Sequence, residues 1–337
     1  MNHTSSAEVA RHDAAQFHRV HAAIKGQISR MIVGQDEVID GVLTALFAGG
    51  HVLLEGVPGL GKTLLVRTLS QAIDARFSRI QFTADMMPAD IQGTSVLTET
   101  ERGHELRFQE GPLVSNLVLA DEINRATPKT QSALLEAMQE RQITVGRRTM
   151  QLEEPFCVLA TQNPVEQEGT YPLPEAQLDR FLLKLVVGYP REEDYAAILD
   201  RTTGAAEVAI QPVANAQDIV KLRHIVRSVA VPAHSQKYAV HLVMGTQPGS
   251  PYAPKLVNDS VALGSSPRGA QSLLLAAKVR ALVDRRYAVS TRDIADVALP
   301  VLRHRLVINF QGLSDRITDE AIVQEVLRSV RAPNEAM

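Results

Sequence analysis

Gly56-Val57-Pro58-Gly59-Leu60-Gly61-Lys62-Thr63 follows the apolar run His51-Val52-Leu53-Leu54 and leads into Leu64-Leu65-Val66-Arg67-Thr68-Leu69. The order is strand, glycine loop, helix, which is the context in which a G-x-x-x-x-G-K-[ST] spacing carries weight. Glycines let successive backbone N–H groups turn inward as a nest for phosphate oxygens. A helix that starts at the loop aims its unpaired N–H groups and its positive dipole end at the same phosphates. Lys62 is spaced to reach the β- and γ-phosphates, and the Thr63 hydroxyl to ligate Mg²⁺. The stretch reads as a nucleoside triphosphate site.

Working outward, Leu117-Val118-Leu119-Ala120 is a continuous apolar run, as expected of a strand covered on both faces of a parallel sheet. It ends in Asp121-Glu122. Asp121 is suited to hold the water shell of Mg²⁺, and Glu122 to polarise an attacking water. Further strands are expected at 77–82, 156–160 and 181–187. Helices are expected at about 13–31, 36–47, 62–73 and 130–141. Two hairpins interrupt the alternation. One joins 94–98 to 105–108 through a turn at Arg102-Gly103; the other joins 142–145 to 148–152 through Gly146-Arg147. After Gly188-Tyr189-Pro190 the strands are expected to stop. Helical patterns then cover about 192–199, 216–229, 235–246, 267–283, 291–302 and 319–330, with Ser266-Pro267 and Ser290 to Asp293 as good helix starts. The expected fold is α/β: an αβα sandwich with a parallel sheet, followed by an all-α lid domain.

A chain of 337 residues is long enough for two cores. Its net charge of -3 gives no nucleic-acid footprint, and 4% aromatic residues without Trp leave few platforms for stacking bases. The single cysteine, Cys157, rules out an intramolecular disulfide and a cysteine-built zinc site, and its apolar neighbours read as a buried strand. The polar start, Met1–Ala15, has no signal-peptide pattern, and no apolar run is long enough to span a bilayer. A cytoplasmic location is the expectation.

With both phosphate motifs in place, the chain resembles the AAA+ ATPases, and most closely the MoxR family within the clade that carries a helix-2 insert. The resemblance runs from about Ile32 to Phe310. Gly56–Thr63 and Leu117–Glu122 match Walker A and Walker B. Asp121-Glu122-Ile123-Asn124-Arg125-Ala126, Ala160-Thr161-Gln162-Asn163-Pro164 and Leu173-Pro174-Glu175-Ala176-Gln177-Leu178-Asp179-Arg180-Phe181 are strings typical of MoxR members. The resemblance implies a helical segment over 1–31, a nucleotide-binding domain over 32–188 and a lid over 189–337. Within the middle part, 88–110 would be the helix-2 insert and 142–152 the pre-sensor-1 hairpin. It implies ATP and Mg²⁺ as cofactors. ATP would be held by Val33 and Gly34 in the adenine-contacting stretch, by Gly56, Pro58, Gly59, Leu60, Gly61, Lys62, Thr63 and Leu64, and by Asp121. Thr63 and Asp121 would face the metal.

Asn163 matches sensor 1, where a neutral amide can donate to the γ-phosphate and accept from the attacking water. Arg180 matches the arginine finger that completes a neighbouring subunit's site; an ion pair with Asp179 or Glu175 is the plain alternative. Arg268 matches sensor 2. It sits in the first turn of a helix, where the macrodipole disfavours a cation and a nearby anion would relieve the conflict. The resemblance further implies a hexameric ring that remodels, assembles or activates client proteins. The clients are often von Willebrand factor A domain proteins, sometimes with metal or cofactor insertion. The hairpin at 142–152 fits a client contact and, equally, a charged tip that keeps a hairpin soluble. A magnesium-chelatase-like ATPase subunit and an ATP-gated scaffold with little turnover are the other readings. The MoxR strings weigh against the first, and the presence of Glu122 against the second.

Overall fold

The computed structural model describes residues 3–100, 103–146, 148–163, 169–203 and 208–333. Two helices, α1 (His3–Met31) and α2 (Asp36–Ala48), precede β1 (Val52–Glu55), α3 (Lys62–Ala72) and β2 (Phe77–Gln81). A short α4 (Pro88–Gln92) leads into the hairpin β3 (Gly93–Thr100) and β4 (Gly103–Glu110). Next come β5 (Leu117–Asp121), α5 (Pro128–Glu140) and a second hairpin, β6 (Gln142–Val145) with β7 (Arg148–Gln151). The core ends with β8 (Cys157–Gln162), α6 (Glu175–Leu178) and β9 (Leu183–Val186). The remainder is α7 (Glu192–Thr203), α8 (Ala216–Ser228), α9 (Ala233–Gly245), α10 (Lys255–Ser260), β10 (Val261–Leu263), α11 (Pro267–Val283), α12 (Thr291–Leu302), β11 (Val307–Ile308), α13 (Phe310–Ser314) and α14 (Asp319–Ser329).

The five core strands form one parallel sheet in the order β2-β5-β8-β1-β9. Side chains alternate across it, as strand geometry requires. Leu54, Leu119 and Leu159 join one apolar core, and Leu53, Ala120 and Ala160 join the other. Helices cover both faces, so the apolar runs in β5 and β8 are unbroken. Cys157 is buried in β8, as its surroundings predict.

The first of these cores does not end at the sheet. It continues through α1, α2 and α3 into α8, α9, α11, α12 and α14. Helix α2 supplies Val42, Leu43 and Leu46 to it, and α11 supplies Leu273, Ala276 and Leu282. The chain turns out of α2 at Gly49, whose φ of 74° closes the helix with its N–H on the carbonyls of Ala45 and Leu46. That left-handed position favours glycine.

One expectation needs correction. Strands do not stop after β9: β10 and β11 pair antiparallel among the lid helices. At three and two residues they are too short to show an alternation in sequence. The first hairpin pairs in register from Gly93 with Glu110 to Thr100 with Gly103. The turn residue Arg102 lies outside the described residues, as do Arg147 of the second hairpin and Pro164 after β8. Among the described residues no helix is long and apolar enough to cross a membrane.

Three buried histidines, His21, His51 and His304, give the fold a pH dependence, and burial beside Arg305 holds His304 well below its ordinary value. Burial pushes His21 on α1 down to about 4, against the attraction of Asp40. It also pushes His51 down to about 4, although His51 is hydrogen-bonded at both ring nitrogens, to the Met138 carbonyl and the Val158 N–H. Their folded pKa values lie below the unfolded one, so the folded state binds fewer protons there. Their stabilisation is complete above pH ~6.5 and is lost as pH falls towards 4. His21 and His51 each contribute roughly 3 kcal/mol over that window. Urea midpoints should therefore drop between pH 7.5 and pH 5, with a shallower drop in His51→Gln. An equal pH slope in that variant would remove His51 from the account.

Candidate functional site

Three strand ends meet where the glycine loop leaves β1. In an open parallel sheet this carboxyl edge, beside a reversal of strand order, is where ligands bind. The loop needs unusual backbone: Gly59 has φ of 84° and Gly61, which caps α3, has φ of 77°. A cleft of about 320 Å³ is lined by Pro58, Gly59, Gly61, Lys62, Thr63 and Leu64 from the loop and helix, Asp121 and Glu122 from the end of β5, and Thr161 and Asn163 from the end of β8. Sequence positions about 60 and 100 residues beyond the loop thus converge on one space. A larger cavity of about 640 Å³ lies beside β9 against α2 and α12, and it contains none of these residues.

Lys62 folds back onto the loop. Its Nζ donates to the Gly56 carbonyl at 2.5 Å and the Val57 carbonyl at 3.3 Å. Burial lowers its pKa, and Asp121 and Glu122 oppose that shift. A phosphate oxygen, being charged, is the stronger acceptor for the same ammonium. Thr63 and Asp121 both line the cleft and offer hard oxygen donors, which suit Mg²⁺; that ion takes one or two protein oxygens and completes its shell with water and phosphate.

The two acids are held by partners that motif reading missed. Arg79 Nη2 donates to Asp121 Oδ2 at 2.7 Å, and the Thr161 hydroxyl donates to Asp121 Oδ1 at 2.6 Å. Gln81 Nε2 donates to Glu122 Oε2 at 2.8 Å, and Arg125 Nη1 to the same oxygen at 3.1 Å. Glu122 itself has φ of 56°, rare for a residue with a side chain. Its N–H donates to Thr161 Oγ1 at 2.8 Å, which ties the strained residue to β8. Arg79 and Gln81 stand two apart on β2, and β2 pairs with β5 so that Gln81 lies opposite Asp121. Arg79 and Gln81, exposed on either side of the buried Ile80, were the available signal.

Ahead of α2, Gln35 Nε2 donates to the Leu60 carbonyl at 3.1 Å, which joins the Ile32–Gln35 stretch to the glycine loop. The Asp194 carboxylate of α7 lies directly over Gly34, where a Cβ would meet it at 2.2 Å. Val33 and Gly34 do not line the cleft that holds Asp121.

Arg180 and Arg268 are elsewhere. They line a separate cavity of about 250 Å³ together with Asp179, Gln271 and Arg305. Arg268 Nη1 lies 3.8 Å from Asp179 Oδ2, so the anion beside this first-turn cation is a carboxylate of the same chain. Ser266 caps α11 by accepting from the Arg268 N–H at 3.1 Å. The plain ion pair of Arg180 with Asp179 or Glu175 does not form among the described residues. Instead Arg180 Nε is buried with no hydrogen-bond partner.

Residues 51–183 match the model of the ATPase family associated with various cellular activities, and residues 253–326 match an AAA lid domain. The chain is 43% identical over 320 residues to Chaperone MoxR1 of Mycobacterium tuberculosis, covering 95% of this chain and 84% of that one. It is 44% identical over 307 residues to YeaC of Bacillus subtilis, covering 91% and 92%. Protein MoxR of Methylorubrum extorquens is 30% identical over 340 residues, covering 95% of both. A crystal structure from Cytophaga hutchinsonii superposes with a TM-score of 0.91 at 37% identity, covering 98% of this chain and 99% of that one.

Proposed function

Because the chain belongs to the MoxR family of AAA ATPases, we propose that it hydrolyses ATP at the interfaces of a homomeric ring and uses the resulting motion to remodel client proteins. One observation carries the reading. The phosphate loop, Asp121, Glu122 and Asn163 share one cleft, whereas Arg180 and Arg268 share another with a surplus of positive charge. In the first cleft the cation besides Lys62 is Arg79, which is paired with Asp121, whereas the second cleft carries cations in excess that suit a neighbour's triphosphate.

The division of labour follows from the chemistry of each group. The nest of loop N–H groups and Lys62 bind the β- and γ-phosphates. Thr63 and Asp121 would hold Mg²⁺, whose charge would offset that of the phosphates. Glu122, held by Gln81 and Arg125, takes the proton of the attacking water. Asn163 lies buried at the β8 end of the cleft and orients that water against the γ-phosphate. Arg180 and Arg268 of the adjacent copy stabilise charge as the phosphoryl group transfers. Six copies is the family expectation. The β3–β4 hairpin offers a client surface, because Leu97 and Leu106 face each other across it and are 64% and 62% exposed. Among clients, von Willebrand factor A domain proteins are the first class to test, together with any metal or cofactor inserted during their maturation.

The test is turnover per subunit against protein concentration, with oligomer size followed by light scattering. Turnover should rise with assembly and then level off. Turnover independent of dilution across the assembly range would rule out an interface site.

A further inference from the structure

Among the described residues the cavity that holds Arg180 is lined by four arginines and one acid. Of the four, Arg141 is engaged with Glu154 and the Gly49 carbonyl. The acid, Asp179, stands at the end of α6, immediately before Arg180. Its Oδ1 accepts from Arg305 Nε at 2.9 Å, and its Oδ2 accepts from Ser266 Oγ at 2.8 Å, with Arg268 Nη1 3.8 Å away. One carboxylate therefore touches the turn after α12, the cap of α11 and the finger segment together.

Arg305 is the other half of the joint. Its side chain is 2% exposed. Beyond Asp179 it donates to the backbone carbonyls that flank the finger: Phe181 at 2.6 Å, Leu182 at 3.3 Å and Asp179 at 3.4 Å. It also donates to Ser272 Oγ of α11 at 3.0 Å. Burial pushes the guanidinium down to about 10, and Asp179 opposes that, so the cation persists at neutral pH. A buried cation of this kind depends on its counter-charge, and removing that partner is far costlier than the pair is worth. Among the described residues Asp179 is the only acid paired with Arg305. The charge balance is then plain: Asp179 answers Arg305, and Arg180 and Arg268 are left in excess.

We propose that Asp179 is a positioning residue: with Arg305 and Ser266 it locks the finger segment to the lid, so that Arg180 and Arg268 are presented to the adjacent copy as one fixed pair. The proposal rests on the interface-ATPase reading above. Two cations held in register on one rigid joint can meet three phosphoryl oxygens at once, whereas two on separately moving elements cannot. It also means that a rotation of the lid carries the finger with it.

The experiment uses Asp179→Asn, which keeps the size of the side chain and removes its charge. Turnover should fall roughly 10–100-fold, while affinity for a fluorescent ATP analogue and oligomer size stay as in the unaltered chain. Equimolar mixing with Glu122→Gln should then recover turnover above either parent. Each intact Asp179→Asn cleft can be completed by a Glu122→Gln neighbour whose finger joint is whole. Arg180→Ala mixed with Glu122→Gln is the reference. If Arg180→Ala recovers and Asp179→Asn does not, the proposal is overturned while the interface reading stands. If neither recovers, the interface reading fails and the proposal falls with it. Unchanged turnover in Asp179→Asn alone overturns it, and so does loss of ATP affinity or assembly, which would make Asp179 a brace for the fold only.

Discussion

Glu122→Gln is expected to lower ATP turnover by about 10²–10⁴-fold, the usual worth of a positioned base, and to leave ATP binding and assembly in place. The substitution is close to isosteric. Its remaining carbonyl oxygen can still accept from Gln81 and Arg125, which hold the carboxylate from two sides. The strained backbone at φ of 56° and the bond from its N–H to Thr161 are untouched. What is lost is the ability to take a proton. Steady-state phosphate release, alongside equilibrium binding of a fluorescent ATP analogue, separates the two effects. Turnover close to that of the unaltered chain would mean that another group activates the water. On the proposed reading, an ATP-bound ring that does not turn over would also hold its client, so the same variant is the reagent for identifying one by pull-down.

Arg180→Ala should be as severe for a different reason. A finger arginine contributes on the order of 10³–10⁵ in turnover, and among the described residues no acid is paired with this guanidinium. Removing it leaves the phosphate loop, Lys62, Asp121 and Glu122 intact, so ATP affinity in the same subunit should barely change. Arg180→Lys should recover little, since an ammonium cannot spread its donors over several phosphoryl oxygens. A variant with weakened ATP affinity and full turnover at saturation would place Arg180 in ground-state binding and not in the transition state.

These two residues mark how far the sequence could be read. The glycine loop and Asp121-Glu122 are local patterns: a few adjacent residues, an apolar strand before them and a helix after one of them. Such patterns survive without coordinates. The partners of Asp121 and Glu122 are not local. Arg79 and Gln81 reach them only because β2 lies beside β5 in one particular register, and nothing in either strand announces that register. Thr161 enters through β8 in the same way. Arg180 and Arg268 were legible as residue types, yet their separation from the phosphate cleft depends on how the lid turns back on the sheet. The five-residue helices α4 and α13 and the β10–β11 ladder were missed because none is long enough for a period to repeat.

The apolar core that runs unbroken from the sheet through α1 and α2 into α11 and α12 bears on how this family can diversify. A lid sharing its interior with the first two helices is not a detachable module. Cutting or exchanging it after β9 would bare the packed faces of α2 and α11 together. Recombination between relatives should therefore succeed only when the amino-terminal helices travel with the carboxyl-terminal ones. The heritable unit is a clasp whose two halves lie on either side of the sheet domain in the sequence.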